Sequence, residues 1–518
     1  MNTSPNAPFP PSEPRRVLVA GATGYVGGRL IPDLLAAGHH VTALARDPRK
    51  LEGRPFVDDP QLEVCQADVL DPASLAGDLD GIQVAYYLVH SMRGGDGFED
   101  TDVRAARTFG TACADAGVER IVYLSGLGEA SDDALSPHLK SRHDTGDALR
   151  EGGVPVTELR AAIIVGSGSA SFDIIHDIVA RLPVMVTPKW VRSLCEPIAI
   201  RDVTWYLVSV LDEPRTVGEI LEIGSGDVMP YKDLLRICAE ELGLPIRNLS
   251  VPVLTPGLSA RWLHLVTDVD YAVARPLVEG LRNDVVCTDL RIREWMPREL
   301  SPYREAARRA LDKRQHPTVR ESRWTDAQRT PRRDRLPGIG TTNERNRLMG
   351  LRIAPERREF RDYRTFDTDL PQAEVFRRVS SIGGPGGYGI RAEILWQLRG
   401  AIDRVTGGPG LRRGRPFGRS LHPGDALDFW RVEEVEPDER LVLSAEMRAP
   451  GAARLEFRVE PLDDGGSRLH QLATLSNDTL WSGLYWYAIA PLHDWVFDQL
   501  GAHVIENATS NERDVATT

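Results

Sequence analysis

Over the first 160 positions, apolar residues come in short solid runs separated by stretches where they recur every three or four residues. The runs at 17–20, 41–45, 62–66, 84–89, 120–125 and 156–159 predict strands buried on both faces. The stretches 25–37, 99–117 and 140–152 predict helices between them. Strands that alternate with helices in this way specify a doubly wound parallel α/β sheet with helices on both faces, because parallel neighbours need a crossover. Past position 160 the alternation loosens. Segment 190–200, a strand at 220–223 and a helix at 231–242 read as a smaller lobe over the sheet.

From 304 to 358 the pattern gives way to arginine and proline. Arg329, Arg332, Arg333 and Arg335 cluster around Pro331, but acidic residues interrupt them and aromatics are scarce. That composition predicts a solvated connector rather than a nucleic-acid patch. A second pattern follows: a strand at 360–366, a helix at 372–381, a glycine hinge at 383–387 and a helix at 392–405. Strand-like runs then occupy 426–435, 440–447, 453–460 and 468–475. Arg454-Leu-Glu-Phe-Arg-Val459 alternates strictly, which predicts an antiparallel sheet wetted on one face. An aromatic-rich helix at 484–507, kinked at Pro491, closes the pattern. The expected division is a disordered tail at 1–14, an α/β domain at 15–303, a connector at 304–358 and an α+β domain at 359–508.

Where the first strand meets the first helix the chain reads Gly21-Ala22-Thr23-Gly24-Tyr25-Val26-Gly27. Gly21 permits the sharp turn, Gly24 lets backbone approach a pyrophosphate, and Gly27 lets helix and sheet pack closely. The amides of the helix N-terminus then face anionic phosphates, so the stretch predicts a dinucleotide site. Arg46, His90 and Ser125 fall at carboxyl ends of strands and Asp68 just beyond one, where such sheets bind ligands. The second strand ends on Arg46, with Lys50 nearby, where an NAD-preferring site usually carries a carboxylate. A guanidinium there suits a 2′-phosphate, worth about 10- to 100-fold, and favours NADP. Asp47 could itself reach the ribose and keeps NAD as the less favoured alternative.

A net charge of −12 argues against nucleic acid as the main partner. Cys65, Cys113, Cys195, Cys238 and Cys287 are scattered without a C-x-x-C pair, so neither a disulfide framework nor a metal site is expected. The start lacks an apolar signal core and no run reaches the ~20 apolar residues of a membrane span, which predicts a cytoplasmic location. Oligomeric state is not legible.

Further motifs sharpen the first half: Ala67-Asp68-Val69, Val122-Tyr-Leu-Ser-Gly126, His138-Leu-Lys-Ser-Arg142 and Thr157-Glu-Leu-Arg160. With the glycine loop they resemble the extended and atypical short-chain dehydrogenase/reductases, near the NmrA-like NAD(P)H-binding group, and imply a Rossmann fold. The resemblance implies that Asp68 contacts adenine; Val69 beside it and His90 at the end of its strand are further cofactor-site candidates. It also implies a serine, a tyrosine and a lysine four residues after the tyrosine as catalytic groups. Ser125 occupies the serine position, but His138 stands at the tyrosine position and Arg142 at the lysine position. Arginine could keep the ribose contacts, and a histidine beside a cation could relay a proton near neutral pH. Alternatively His138 packs the helix start and Arg142 only binds cofactor. His143 and His90 are weaker catalytic candidates, read as ordinary surface and strand-end residues.

Residues 360–507 resemble the START-like (SRPBCC) helix-grip domains through Leu427-Asp-Phe-Trp-Arg-Val432, Ala445-Glu-Met447 and Leu484-Tyr-Trp-Tyr487. The aromatics concentrated there, Trp396, Phe429, Trp430, Trp481, Trp486 and Phe497 among them, either line a pocket for a small apolar molecule or form the core. Asp425, Asp428 and Glu446 are candidate polar groups of that pocket. Three functions stay open: a reductase for a bulky apolar carbonyl compound, a non-catalytic NAD(P)H sensor, and a lipid-binding module on a Rossmann scaffold.

Overall fold

The computed structural model describes residues 13–90, 98–128, 137–181, 184–187, 192–245, 247–250, 284–315, 322–323, 326, 352–354, 359–383, 388, 396–400, 403, 410, 420–447, 449–476 and 480–506. The expected tail, most of the glycine hinge, much of the helix at 392–405 and the arginine cluster around Pro331 lie outside these residues. The chain divides into two compact units, Met1–Ala327 and Gln328–Thr518.

The first unit is built on seven parallel strands in the order β7-β6-β5-β4-β1-β2-β3. They are β1 (Arg16–Ala20), β2 (His40–Ala45), β3 (Leu62–Gln66), β4 (Val84–Tyr87), β5 (Arg120–Gly126), β6 (Val156–Ala161) and β7 (Ile220–Ile223). Helix α1 (Gly27–Ala36) links β1 to β2, α2 (Phe98–Asp115) links β4 to β5, and α3 (Pro137–Arg150) links β5 to β6. Alternate residues of each central strand feed two separate apolar cores. Val17, Val19, Leu30, Ile31 and Leu34 belong to one, and Leu18, Ala20, Phe109, Ile121 and Tyr123 to the other. Both faces are covered, so these strands read as solid apolar runs.

A smaller core gathers α4 (Ala170–Arg181), α6 (Tyr231–Glu241) and α7 (Tyr303–Gln315), whereas α5 (Ile200–Ser209) packs on α1 and adds Val203, Tyr206 and Leu207 to the first core. α7 falls within the segment expected to be connector. Its Tyr303, Ala306, Ala307, Ala310 and Leu311 are buried, a stripe at helical spacing under a charged outer face. Residues 304–315 therefore pack into the first unit.

In the second unit seven strands form an antiparallel sheet in the order β8-β9-β14-β13-β12-β11-β10. They are β8 (Arg352–Ala354), β9 (Glu359–Thr368), β10 (Ala426–Leu427), β11 (Trp430–Glu436), β12 (Arg440–Ala445), β13 (Ala453–Pro461) and β14 (Ser467–Ser476). Helices α8 (Gln372–Val379) and α9 (Leu480–Glu506) pack on it, and α9 runs unbroken through Pro491. Asp428, at φ +52°, breaks the expected single strand into β10 and β11, and its carboxylate accepts from the Tyr388 hydroxyl at 2.9 Å. One expectation fails. The face presumed wet is buried at Arg431, Ser444, Arg454, Glu456 and Thr474. Its charges pair across strands, Arg454 with Glu433 at 3.3 Å and Arg440 with Glu456 at 2.8 Å, so they do not need water.

Candidate functional site

Strand order reverses between β1 and β4, the place where open α/β sheets bind ligands. There Gly21 adopts φ +95°, and a Cβ on it would stand 2.7 Å from the Leu88 carbonyl oxygen. Only glycine lets the loop after β1 rest on the chain leaving β4. The Gly24 amide donates to the Gly21 carbonyl at 2.9 Å and closes the turn. At Gly27 a Cβ would lie 2.3 Å from the same carbonyl, so α1 begins against bare backbone. α1 has no capping side chain and no acidic residue in its first turn, which leaves its leading amides to an anion. These features fit a pyrophosphate. Ala22 is fully buried, Thr23 is half-buried, Val26 packs on the core, and Tyr25 carries the Arg29 guanidinium 4.9 Å above its ring.

Arg46, the residue after β2, is exposed, while Asp47 is gripped by Arg49 at 2.9 Å. Lys50 is buried, and its Nζ donates to the Asp326 carbonyl at 3.3 Å. Nearby Arg54 pairs with the Asp326 carboxylate at 2.6 Å, and Ser322 packs against Gly28. The chain beyond α7 thus touches the loop after β2, 272 residues away in sequence, a contact no local pattern announces. Asp68 caps its own turn, its Oδ1 accepting from the Leu70 amide at 3.1 Å, and Val69 packs on the core. His90 donates from Nδ1 to Asp102 at 2.9 Å, and burial holds its pKa below the ordinary histidine range. Asp102, on α2, was not singled out in the sequence.

The polar groups concentrate at the end of β5. Ser125 is buried there, and Arg142 on α3 donates to the Leu124 carbonyl while its guanidinium lies 5.6 Å from the Tyr123 ring centre. The Tyr123 hydroxyl donates to the Arg142 carbonyl at 2.9 Å. Burial raises the Tyr123 pKa and lowers that of His143, whose Nε2 meets the Gly126 carbonyl at 3.3 Å. Four buried atoms here have no hydrogen-bond partner among the described residues: Ser125 Oγ, Ser141 Oγ, Arg142 Nε and His143 Nδ1. Ser125 and Arg142 both lie at this end of β5. His138 lies on the first turn of α3, and its side chain is outside the described residues. Tyr123 and Ser141 were missed, because only the packing of α3 on β5 brings them in.

In the second unit a cavity of about 130 Å³ lies between the sheet and α9. Trp396, Trp430, Met447, Tyr485, Trp486 and Phe497 contribute to its walls. Phe429 is core, Tyr487 and Trp495 are exposed, and the side chain of Trp481 is outside the described residues. None of the three expected acids lines it. Asp425 accepts from the His422 amide, Asp428 from Tyr388, and Glu446 pairs with Arg431. Each is already committed to local backbone or to a buried partner. Among the described residues no helix is long and apolar enough to cross a membrane, and no group of three or more His, Cys, Asp or Glu could hold a metal ion.

Residues 21–170 match the NAD(P)H-binding family, and residues 354–500 match a protein family of unknown function (DUF2867). Cinnamoyl-CoA reductase 1 of Oryza sativa is 26% identical over 44% of this chain and 76% of its own length. The divinyl chlorophyllide a 8-vinyl-reductase of Zea mays is 27% identical over 43% of this chain and 59% of its own length, under two thirds of that protein. A Streptomyces griseus (4-alkanoyl-5-oxo-2,5-dihydrofuran-3-yl)methyl phosphate reductase is 26% identical over 56% of this chain and 95% of that protein. Among solved structures, triphenylmethane reductase of Citrobacter sp. aligns at TM-score 0.48 and 19% identity, over 57% of this chain and 99% of that one. The first unit carries a Rossmann-type α/β domain whose residues 21–170 match the NAD(P)H-binding family, and the second an antiparallel sheet domain.

Proposed function

We propose that the first unit is an NADP(H)-dependent reductase of the atypical short-chain type, acting on a bulky apolar carbonyl compound. The carrying observation is the set of orphaned buried atoms around Ser125, beside a glycine loop fitted to a pyrophosphate. The bound nicotinamide would supply hydride to the carbonyl carbon. Ser125 Oγ–H and Arg142 Nε–H are the donors offered to the oxygen as it gains charge, and desolvation strengthens both. His138, one turn before Arg142, is the proposed proton source. Arg46 favours the 2′-phosphate because Asp47, the competing carboxylate, is held by Arg49.

A sensor without turnover is the second reading, favoured by Arg142 being tied to Leu124 and by the absent tyrosine and lysine. Fluorescence titration with NADPH and NADH, then a carbonyl-substrate screen with Ser125→Ala and His138→Ala, separates them. The reductase reading expects NADPH to bind tighter than NADH, with turnover lost in His138→Ala. Tight binding without turnover on any carbonyl leaves the sensor, and failure to bind either nucleotide refutes both. For the second unit we propose a START-like helix-grip module whose cavity takes a small apolar molecule.

A further inference from the structure

The wall of the second unit's cavity includes polar groups within its apolar lining, His493 among them. His493 of α9 lines the cavity with its ring between Trp486, at 4.8 Å between centroids, and Phe497, at 4.1 Å. Its Nδ1 donates to Asp362 of β9 at 3.2 Å. Asp362 is in turn held by Arg364 through two bonds of 2.9 and 3.0 Å, and Arg364 reaches back to Asp494 on α9 at 2.5 Å. Burial works against the Asp362 charge, yet the bonds from His493 and Arg364 keep its pKa below the ordinary carboxylate range. The bond to Asp362 places a ring proton on Nδ1, so an imidazole carrying one proton has none on Nε2. Nε2 is left as a bare acceptor, and among the described residues it has no hydrogen-bond partner.

We infer that this cavity is a site for an aromatic molecule bearing a hydroxyl group, a phenol, whose O–H donates to His493 Nε2. The inference rests on the reading that the cavity takes a small apolar molecule and adds the polar group that selects it. Walls of Trp396, Trp430, Trp486 and Phe497 favour a flat ring. The volume of about 130 Å³ is near that of an engineered cavity that holds benzene. An anionic ligand fits less well. Arg399 and Arg454 also line the cavity, but each has a carboxylate of its own, Asp403 at 3.9 Å and Glu433 at 3.3 Å.

Calorimetric titration of the full chain with phenol and with toluene, its near-isostere, tests this. Wild-type protein is expected to prefer phenol by about tenfold, the 1.4 kcal/mol of one good hydrogen bond. His493→Phe keeps the stacked ring and removes Nε2, so the preference should vanish while toluene binding stays. Asp362→Asn, which frees the imidazole tautomer, should cut the preference without altering the cavity walls. The His493 ring resonances should shift with phenol and not with toluene. Toluene binding with no preference for phenol, or a preference that survives in His493→Phe, overturns the inference and leaves the apolar cavity standing. Binding of neither compound overturns both.

Discussion

Replacing Gly27 by alanine tests whether the glycine loop is a ligand cradle or merely a tight turn. The new methyl would meet three backbone atoms, at 2.3 Å from Gly21 O, 2.9 Å from Gly21 C and 3.1 Å from Ala22 Cα. None of these is a side chain that can rotate away, so loop and helix must separate by about 1 Å to restore ordinary contact, an overpacking strain of roughly 1–3 kcal/mol. Alanine returns up to about 1 kcal/mol of helix propensity, less in the first turn, so the net loss is about 1–2 kcal/mol. For a unit of this size that is about 2–3 °C in Tm. Affinity should suffer more. Amides displaced by about 1 Å lose charge-assisted bonds worth roughly 1.5–3 kcal/mol, a 10- to 100-fold rise in Kd for NADPH. Gly38→Ala is the control, since Gly38 has φ +87° and nothing within 4 Å of its added methyl. It strains the backbone at the end of α1 and should lower Tm by a similar amount with Kd unchanged. Fluorescence titration and thermal melts of both variants decide the matter. A Gly27→Ala protein that melts lower yet binds NADPH within about twofold of wild type would refute the cradle.

Ser125→Ala should leave NADPH affinity unchanged and lower kcat on any carbonyl substrate by about 10- to 100-fold, read by steady-state kinetics. Asp326→Ala should leave the buried Arg54 without its carboxylate and destabilise the first unit by roughly 3 kcal/mol in denaturant melts; equal stability would show the pair to be dispensable. Burial lowers the pKa of both His90 and His143 from the ordinary 6.5. The unfolded chain therefore binds more protons as pH falls through 6.5. Stability should be full above that pH and decline below it, levelling once the folded-state histidines also titrate. His143→Asn should flatten the decline, as followed by urea melts between pH 7.5 and 5.

Most of the first sheet was legible because its elements carry their own signals: apolar runs for β1, β2, β4 and β5 and a local glycine code for the loop before α1, whereas the edge strand β3, Leu62-Glu-Val-Cys-Gln66, was expected to be buried and is not. α7 was hidden because charges outnumber the apolar stripe of Tyr303, Ala306, Ala307, Ala310 and Leu311 that fixes it. The second sheet misled in the opposite way. Its alternating charges look solvated, yet Arg431, Arg454 and Glu456 are buried because they meet partners on neighbouring strands or turns. Within the candidate site, Ser125 and Arg142 were readable from motif position. Tyr123, Ser141, Asp102 and Asp326 were not, since their roles depend on which helix or distant segment lies against which strand end.

The orphaned atoms at the end of β5 also bear on how choosy the first unit would be. A pocket that holds its ligand by apolar contact tells neighbouring homologues apart by only about 10- to 200-fold, because a missing methylene forfeits little. A site whose ligand had to answer Ser125 Oγ and Arg142 Nε, as the proposed reductase requires, would behave differently. A ligand lacking the right oxygen would shut those groups away from water with nothing in return, and rejection of that kind can reach about 10⁴-fold. Such a site would tolerate variety in the carbon skeleton of its substrate and almost none in the placement of its oxygen.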